Sequence, residues 1–195
     1  MLTVKNVDAI QYYVDICEKN NLSKRQLQEK IKSKEYDRLS EKTKNKLIES
    51  KQLEVIDLVP NSIKIKNNFF NDKITEYALK QSILNNLDEF LSKFGSGFAY
   101  IGNEFKIKLD ERYNYIDLLL FNIEYSCYVV VELKVTELKK EHIGQIQVYM
   151  NYIDNNLKKV SQNKTIGIII CKQDNKYVIE YCSDDSIFSR EYELV

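Results

Sequence analysis

The stretch VVVELKV, residues 129–135, contains two charges inside a run that is otherwise typical of a buried strand. Side chains of a strand alternate between its two faces, so Glu132 and Lys134 share one face and the apolar residues around them share the other. A buried carboxylate costs several kcal/mol unless it is paired or bound to a cation. The stretch therefore indicates a core strand that also supplies functional side chains.

A second acid interrupts an apolar strand upstream, in YIDLLLF at residues 115–121. If the two strands pair, Asp117 and Glu132 converge at one edge of the sheet. Mg²⁺ binds through one or two carboxylates together with water and substrate phosphate. Asp117, Glu132 and the backbone carbonyl of Leu133 are therefore the predicted ligands of Mg²⁺, with Mn²⁺ as a substitute.

A metal at this position would lower the pKa of a bound water and neutralise charge on a phosphodiester. Lys134, held beside the metal, would orient or deprotonate that water and stabilise the phosphate oxygens. The alternative for Glu132 and Lys134 is an ordinary ion pair on a half-exposed strand. The alternative for Asp117 is to cap a neighbouring helix.

The apolar pattern predicts a long helix from Asp72 to Phe94, ended by Gly95 to Gly97. Glu76 lies on the apolar stripe of this helix, so its carboxylate is expected to point toward the core and to add a further ligand or a water contact. A second helix is predicted from Lys140 to Asn156. Strands are predicted at Phe98–Leu109, Tyr113–Asn122, Cys127–Val135, Thr165–Cys171 and Tyr177–Tyr181. This order predicts an α/β fold with a mixed sheet flanked by helices.

The N-terminal part is predicted to be helical between residues 3 and 57, with a capping box formed by Ser23 and Gln26. Pro60 then introduces a polar stretch, residues 61–72, predicted to be a linker or an irregular connection. We therefore expect a small helical N-terminal segment, residues 1–60, and a second domain, residues 61–195. Between Lys19 and Lys51 there are 11 basic and 5 acidic residues. This region would attract a polyanion, or it forms a solvated helix face rich in lysine.

Several classes of protein do not fit the sequence. No apolar run approaches the ~20 residues that a membrane span needs, and the start of the chain does not resemble a signal peptide. We therefore expect a cytoplasmic protein with no membrane partner. The four cysteines lack CxxC spacing and the chain has one histidine, which argues against a structural zinc site. Cys127 and Cys171 lie in apolar runs and are expected in the core.

The order of Asp117, then Glu132, one residue and Lys134, after a long helix, is the pattern of the PD-(D/E)XK nuclease superfamily. The segment from Asp72 to Tyr181 resembles the C-terminal catalytic domain of YhcG-type proteins. Five blocks in family order carry the resemblance: FLSKFGSGFAYIGNEFKI (90–107), YIDLLLFN (115–122), YVVVELKV (128–135), HIGQIQVYMNYID (142–154) and TIGIIICK (165–172).

This resemblance implies a restriction-endonuclease-like fold and a metal-dependent nuclease acting on DNA. By matching position, Asp117 corresponds to the motif Asp, Glu132 and Lys134 to the Glu and Lys of ExK, and Glu76 to the acid of the first helix.

The family's glutamine-x-x-x-tyrosine helix matches Gln145 and Tyr149, which lie one turn apart on one helix face. Gln145 at this place would hydrogen-bond a metal-bound water or a phosphate oxygen. For Tyr149 we favour packing between helix and sheet. For His142 we favour a surface position at the start of the helix.

The chain departs from the family pattern at two places. Asn103 and Glu104 stand where a basic residue is usual, which removes a phosphate contact. Residues 12–44 resemble only the last part of the family's longer N-terminal domain, with Leu22 where Trp is common. A protein partner would then supply target selection, or the chain is a shortened form.

Two functions of different classes fit these observations. The first is a Mg²⁺-dependent DNA endonuclease in defence or repair, working as a homodimer where both strands are cut. The second is a catalytically silent module of the same fold that binds nucleic acid or supports assembly. The acidic excess after residue 66 favours weak intrinsic affinity for DNA. An RNA-directed nuclease is a third hypothesis, supported only by the surface stacking that 14 tyrosines would allow.

Overall fold

The computed structural model describes residues 4–49, 53–66, 74–95, 97–182 and 185–195. The chain forms two compact units, Met1–Asn61 and Ser62–Val195. Among the described residues, no helix is both long and apolar enough to cross a membrane.

The N-terminal unit is helical, as expected. Its elements are α1 Val7–Asn20, α2 Lys24–Lys32, α3 Glu35–Arg38, α4 Glu41–Ile48 and a 3₁₀ helix Val55–Leu58. Ala9, Tyr13, Tyr36 and Leu39 form a small buried core. The predicted capping box at the start of α2 is confirmed, because Ser23 and Gln26 each accept a hydrogen bond from the other's backbone N–H.

The C-terminal unit is built on a six-stranded mixed sheet, so the predicted α/β fold class is confirmed. Its elements are β1 Ser62–Ile65, α5 Glu76–Asn85, α6 Leu87–Phe94, β2 Phe98–Leu109, β3 Arg112–Asn122, β4 Cys127–Glu137, α7 Lys140–Asn156, β5 Ile166–Gln173, α8 Lys176–Cys182 and β6 Ile187–Leu194. The strand order is β1-β6-β5-β4-β3-β2. Strands β2, β3 and β4 are antiparallel neighbours, whereas β4, β5, β6 and β1 run parallel.

Helix α7 lies close against the sheet because Gly167 on β5 has no side chain. A Cβ added at Gly167 would lie 2.6 Å from Met150 Sδ and 2.9 Å from Ile146 Cδ1 on α7. Val130 on β4 pairs with Gly167 and packs in the same hydrophobic core as this helix. The other face of the central strands is equally buried, at Leu118, Leu120, Val129, Val131 and Leu133. Continuous burial on both faces is what a sheet covered by helices requires.

The two internal cysteines, Cys127 and Cys171, are buried in the core as expected. Burial raises the pKa of the Cys127 thiol to about 11 and that of Cys171 to about 12. Both thiols therefore act as small apolar side chains.

The predicted strand at Tyr177–Tyr181 is wrong, because this segment is helix α8. Val178 and Ile179 are consecutive, yet both pack against the core, which a strand's alternation does not allow. Asn175 Oδ1 also accepts a hydrogen bond from the Val178 backbone N–H, 3.3 Å away, at the first turn. The last strand, β6, lies further along the chain and was not predicted.

Part of the predicted linker is a strand, since β1 pairs in parallel with β6. Residues 67–73 of that linker, including the predicted helix start at Asp72, lie outside the described residues. The predicted long helix is two helices, because Asn86 leaves the helical conformation (φ −132°, ψ 42°). The Asn86 side chain instead donates a hydrogen bond of 3.1 Å to the Ser82 carbonyl and ends α5 there.

Candidate active site

Asp117 and Glu132 face each other across β3 and β4. Leu118 pairs with Val131 on the antiparallel neighbour, so Asp117 and Glu132, one residue further along each strand, lie opposite each other. The Asp117 backbone N–H donates to Glu132 Oε1 over 3.2 Å, and the Leu133 backbone N–H donates to Asp117 Oδ2 over 3.0 Å. One oxygen of each carboxylate is therefore fixed by the backbone of the opposite strand.

The other carboxylate oxygens face lysine side chains. Lys134 Nζ lies 3.4 Å from Glu132 Oε2, and Lys80 Nζ lies 3.2 Å from Asp117 Oδ1. Glu132 is only 2% exposed, and both lysine side chains are 11% exposed. Because these charges are largely removed from water, their attraction is stronger than that of a surface pair.

Lys80 and Glu104 are site residues that the sequence did not predict. Lys80 Nζ lies 3.0 Å from Glu104 Oε1 and so bridges Glu104 and Asp117. Glu104 has a positive φ of 45°, an uncommon conformation for this residue type. Lys80 follows Glu76 by four residues, so the two lie on the same face of the helix. This spacing is the sequence feature that could have identified Lys80 as a site residue.

Glu76 does not point into the core, so that expectation is wrong. It is the first residue of α5, after the N-cap Thr75, and its side chain is 48% exposed. The first turn of the helix extends past the buried stripe, which begins at Leu79. Glu76 Oε2 nevertheless lies 3.9 Å from Lys134 Nζ, at the rim of the site. Its role as a ligand stays a prediction.

Gln145 and Tyr149 lie together on α7. Gln145 Nε2 donates a hydrogen bond of 2.9 Å to Tyr149 Oη, and Tyr149 is buried against the sheet. Burial raises the pKa of Tyr149; the Gln145 hydrogen bond acts against this, and the Glu132 carboxylate adds to it. The packing role favoured for Tyr149 is thus observed, and the contact of Gln145 with water or phosphate stays a prediction.

His142 lies at the start of α7, where its Nδ1 accepts a hydrogen bond of 3.2 Å from the Lys139 backbone N–H. Burial and the charge of Lys134 both lower the pKa of His142. The helix-start position that the sequence favoured is observed, but the residue is partly buried and does not lie fully at the surface.

The electrostatics of the site favour binding of a cation. Burial and the charge of Asp117 raise the pKa of Glu132 to about 7, although Lys134 and the Asp117 backbone N–H act in the opposite direction. Burial alone would lower the pKa of Lys80, but its hydrogen bond to Glu104 and the charge of Asp117 raise it overall. Additional positive charge would favour the ionised form of Glu132.

The oxygens available for a metal are Asp117 Oδ1 and Glu132 Oε2, the two that now face lysines. Within the part of the chain that the structure describes, no three or more His, Cys, Asp and Glu side chains are grouped to hold a metal ion. Two carboxylates match a Mg²⁺ or Mn²⁺ site completed by water and phosphate. The Leu133 backbone N–H donates a hydrogen bond to Asp117 Oδ2. Metal binding by the Leu133 carbonyl stays a prediction.

Comparison with solved structures finds matches of low sequence identity. A repair endonuclease from Pyrococcus abyssi matches with a TM-score of 0.42 and 16% identity over 65% of this chain and 50% of that chain. EndoMS in its complex with double-stranded DNA matches with a TM-score of 0.46 and 16% identity over 66% of this chain and 49% of that chain.

A curated relative covers the whole chain. "Putative nuclease YhcG" from Escherichia coli (strain K12) is 24% identical over 204 residues, which include 100% of this chain and 54% of the relative. The chain thus spans about half the length of the curated relative it matches. The model of the YhcG PDDEXK nuclease domain matches residues 61–194. The chain therefore belongs to the YhcG PDDEXK nuclease domain family, as its motif residues predicted.

Proposed function

We propose that the chain is a divalent-metal-dependent endonuclease that hydrolyses phosphodiester bonds of DNA in the cytoplasm. The observation that carries this proposal is the arrangement of Asp117 and Glu132. Each acid has one oxygen fixed by the opposite strand and one oxygen facing a lysine ammonium. Two fixed acids with cation-facing oxygens are what a Mg²⁺ site in a nuclease needs.

In this proposal Asp117 and Glu132 hold the metal, with Glu76 and the Leu133 carbonyl as further candidates. When bound, the metal supplies Lewis acidity toward the phosphate and an activated water. Lys134 donates hydrogen bonds to that water or to the phosphate oxygens as negative charge develops. Gln145 orients a water or a phosphate oxygen from α7.

A second candidate function is a catalytically silent nuclease-fold module that binds nucleic acid or supports assembly. The Lys80 ammonium favours it, because it already neutralises the Asp117 oxygen that a metal would need. Glu104 holds this lysine from the opposite side. A module stabilised by these ion pairs would keep the fold without binding a metal.

The biological role and the partners are also part of the proposal. We propose a role in defence or DNA repair. The chain is proposed to divide into a helical segment, residues 1–60, and a nuclease-like domain, residues 61–195. Cutting both strands of a duplex is proposed to require a homodimer. A protein partner that supplies target selection is also part of this proposal.

Cleavage tests on a panel of substrates distinguish the two functions. The protein is incubated with supercoiled, linear, single-stranded and branched DNA and with RNA, in Mg²⁺, in Mn²⁺ and in EDTA. An Asp117→Asn variant whose thermal melting matches the wild type serves as the inactive control. Metal-dependent cutting of DNA by the wild type alone supports the endonuclease. Cutting of RNA alone refutes the DNA specificity, and binding without cutting in either metal supports the silent module.

A further inference from the structure

The β2–β3 hairpin extends beyond the part of the sheet that β4 covers. Strands β2 and β3 pair from Phe98 with Asn122 to Leu109 with Arg112, with a register shift between Tyr100 and Gly102. Strand β4 pairs with β3 only between Leu118 and Asn122. Residues 105–116 therefore form a two-stranded extension, here called the ribbon.

The two sides of the ribbon differ in burial. One side carries Phe105, Ile107, Leu109 and Ile116, which pack in the same hydrophobic core as α7. Ile107 is 1% exposed and Ile116 is fully buried. This side anchors the ribbon, so its orientation is set by the core.

The other side, here called the outer side, is exposed and carries two tyrosines and two lysines. Tyr113 pairs with Lys108 and Tyr115 pairs with Lys106, so the four side chains alternate across the two strands. Tyr113 is 54% exposed and Tyr115 is 53% exposed, so both rings are accessible to a ligand. Lys106 Nζ lies 3.7 Å from the centre of the Tyr113 ring, a cation–π contact.

The outer side leads along β3 to the candidate active site. Tyr115 precedes Asp117 by two residues, so strand alternation directs both side chains to the same face, about 6.6–6.8 Å apart along the strand. Tyr113 lies one further step away on that face. A ligand lying along the outer side would therefore end at the acidic pair.

We propose that the outer side of the ribbon binds an unpaired nucleic-acid strand and leads it to Asp117 and Glu132. This inference rests on the proposed function and assigns its substrate class. Exposed tyrosine rings stack on bases, and this contact is tolerant of sequence because every base has an aromatic face. Lys106 and Lys108 complement the phosphates that accompany those bases.

The tyrosines favour an unpaired strand over a duplex. In a duplex the faces of the bases are occupied by neighbouring base pairs, so only the lysines would find partners. In an unpaired strand, a base that stacks on Tyr113 replaces the ammonium of Lys106. That ammonium then contacts a phosphate.

Fluorescence anisotropy of the full chain in EDTA tests this inference without requiring cleavage. The probes are one labelled DNA oligonucleotide, the same oligonucleotide annealed to its complement, and an RNA of the same sequence. The variants are Tyr113→Ala/Tyr115→Ala and, with the rings kept, Tyr113→Phe/Tyr115→Phe. The matched control is Tyr177→Ala/Tyr181→Ala, since these two tyrosines lie on α8 and are 74% and 75% exposed.

We expect the alanine pair on the ribbon to raise the Kd for single-stranded DNA by about 10-fold or more. Its Kd for the duplex should change by less than about 2-fold, because the lysines remain. The phenylalanine pair and the α8 control should bind as the wild type does. A similar change for RNA would show that the ribbon binds unpaired strands of either sugar, which the inference allows.

Three results would overturn the inference. The ribbon alanine pair binds single strands like the wild type, or it weakens duplex binding equally, or it alters the mass in solution and so identifies an interface between copies. If the wild type still cuts DNA with metal in those cases, the proposed function stands and only the ribbon inference fails. If the wild type neither binds nor cuts any nucleic acid, both fail.

Discussion

Lys80 on α5 and Asp117 on β3 form an ion pair, with Nζ 3.2 Å from Oδ1, at the position where the sequence predicts a metal ligand. The lysine side chain is mostly buried and also contacts Glu104. Its ammonium supplies part of the positive charge that a divalent cation would otherwise bring to Asp117. If the site binds a divalent cation as proposed, the stability of the protein and its affinity for that cation are linked through this residue.

A Lys80→Met substitution should destabilise the metal-free protein and increase its stabilisation by metal. Loss of the ammonium leaves the Asp117 oxygen without its partner, at a cost of about 1–3 kcal/mol. Mg²⁺ or Mn²⁺ then replaces the missing charge, so the rise in Tm on adding metal should exceed that of the wild type. Thermal melting in EDTA and in each metal measures both effects.

Lys93→Met is the matched control for this substitution, because Lys93 is partly buried and pairs with Glu89 within α6. The free energy of unfolding of this variant should lie within about 0.5 kcal/mol of the wild-type value. Its Tm should rise on adding metal by the same amount as that of the wild type. An unchanged metal response in Lys80→Met would refute the link between Lys80 and the metal site.

The raised pKa of Glu132 predicts a specific dependence of stability on pH. Its pKa is about 7 in the folded protein against an ordinary 4.5, so between these values the folded state holds more protons than the unfolded state. The contribution of Glu132 to stability is therefore present below pH 4.5 and is lost as the pH rises through about 7. Denaturant unfolding of wild type and Glu132→Gln in EDTA, from about pH 5 to about pH 8, measures this contribution.

We expect the wild type to lose stability relative to Glu132→Gln as the pH rises through this range. The matched control is Glu111→Gln, which removes an exposed carboxylate elsewhere on the chain. A difference between wild type and Glu132→Gln that stays flat, or that increases with pH, would contradict the account of this carboxylate.

Gly167 on β5 lies against α7, whereas Gly144 lies on the exposed side of α7, so the two should respond oppositely to substitution by alanine. Gly167→Ala brings a Cβ within 2.6 Å of Met150 Sδ, so overpacking should lower the free energy of unfolding by about 1–3 kcal/mol. Gly144 lies in helix α7, and the Cβ that Gly144→Ala adds would have no neighbour within 4 Å. The higher helix propensity of alanine should raise stability there by about 0.5–1 kcal/mol.

Urea unfolding of both glycine variants measures these changes. Equal changes in the free energy of unfolding for the two variants would show that the close approach of α7 to β5 does not require a glycine at residue 167.

The acidic pair was predictable because it depends on local rules. Strand alternation sets the face of Glu132, and two apolar strands close in sequence are expected to pair, which brings Asp117 opposite. Helix α7 was predicted with its observed bounds, because a long periodic pattern leaves little ambiguity.

The Lys80–Glu104 pair was not predictable in the same way. It joins a helix to a strand with an irregular pairing near Gly102, and no local pattern reports such a contact. Helix α8 was missed because a segment of seven residues fits a strand as well as a helix until its packing is known. Both errors concern contacts that only the assembled sheet defines.

The proposed metal-dependent endonuclease is tested most directly by the rate of DNA cleavage in Mg²⁺ by the wild type, Glu132→Gln and Lys134→Met. Glu111→Gln and Lys93→Met are the matched controls, and thermal melting verifies the fold of each variant. We expect cleavage by the wild type and both controls, and a loss of at least about 100-fold in the cleavage rate of the two site variants. Folded site variants that cut DNA at the wild-type rate would contradict the proposal.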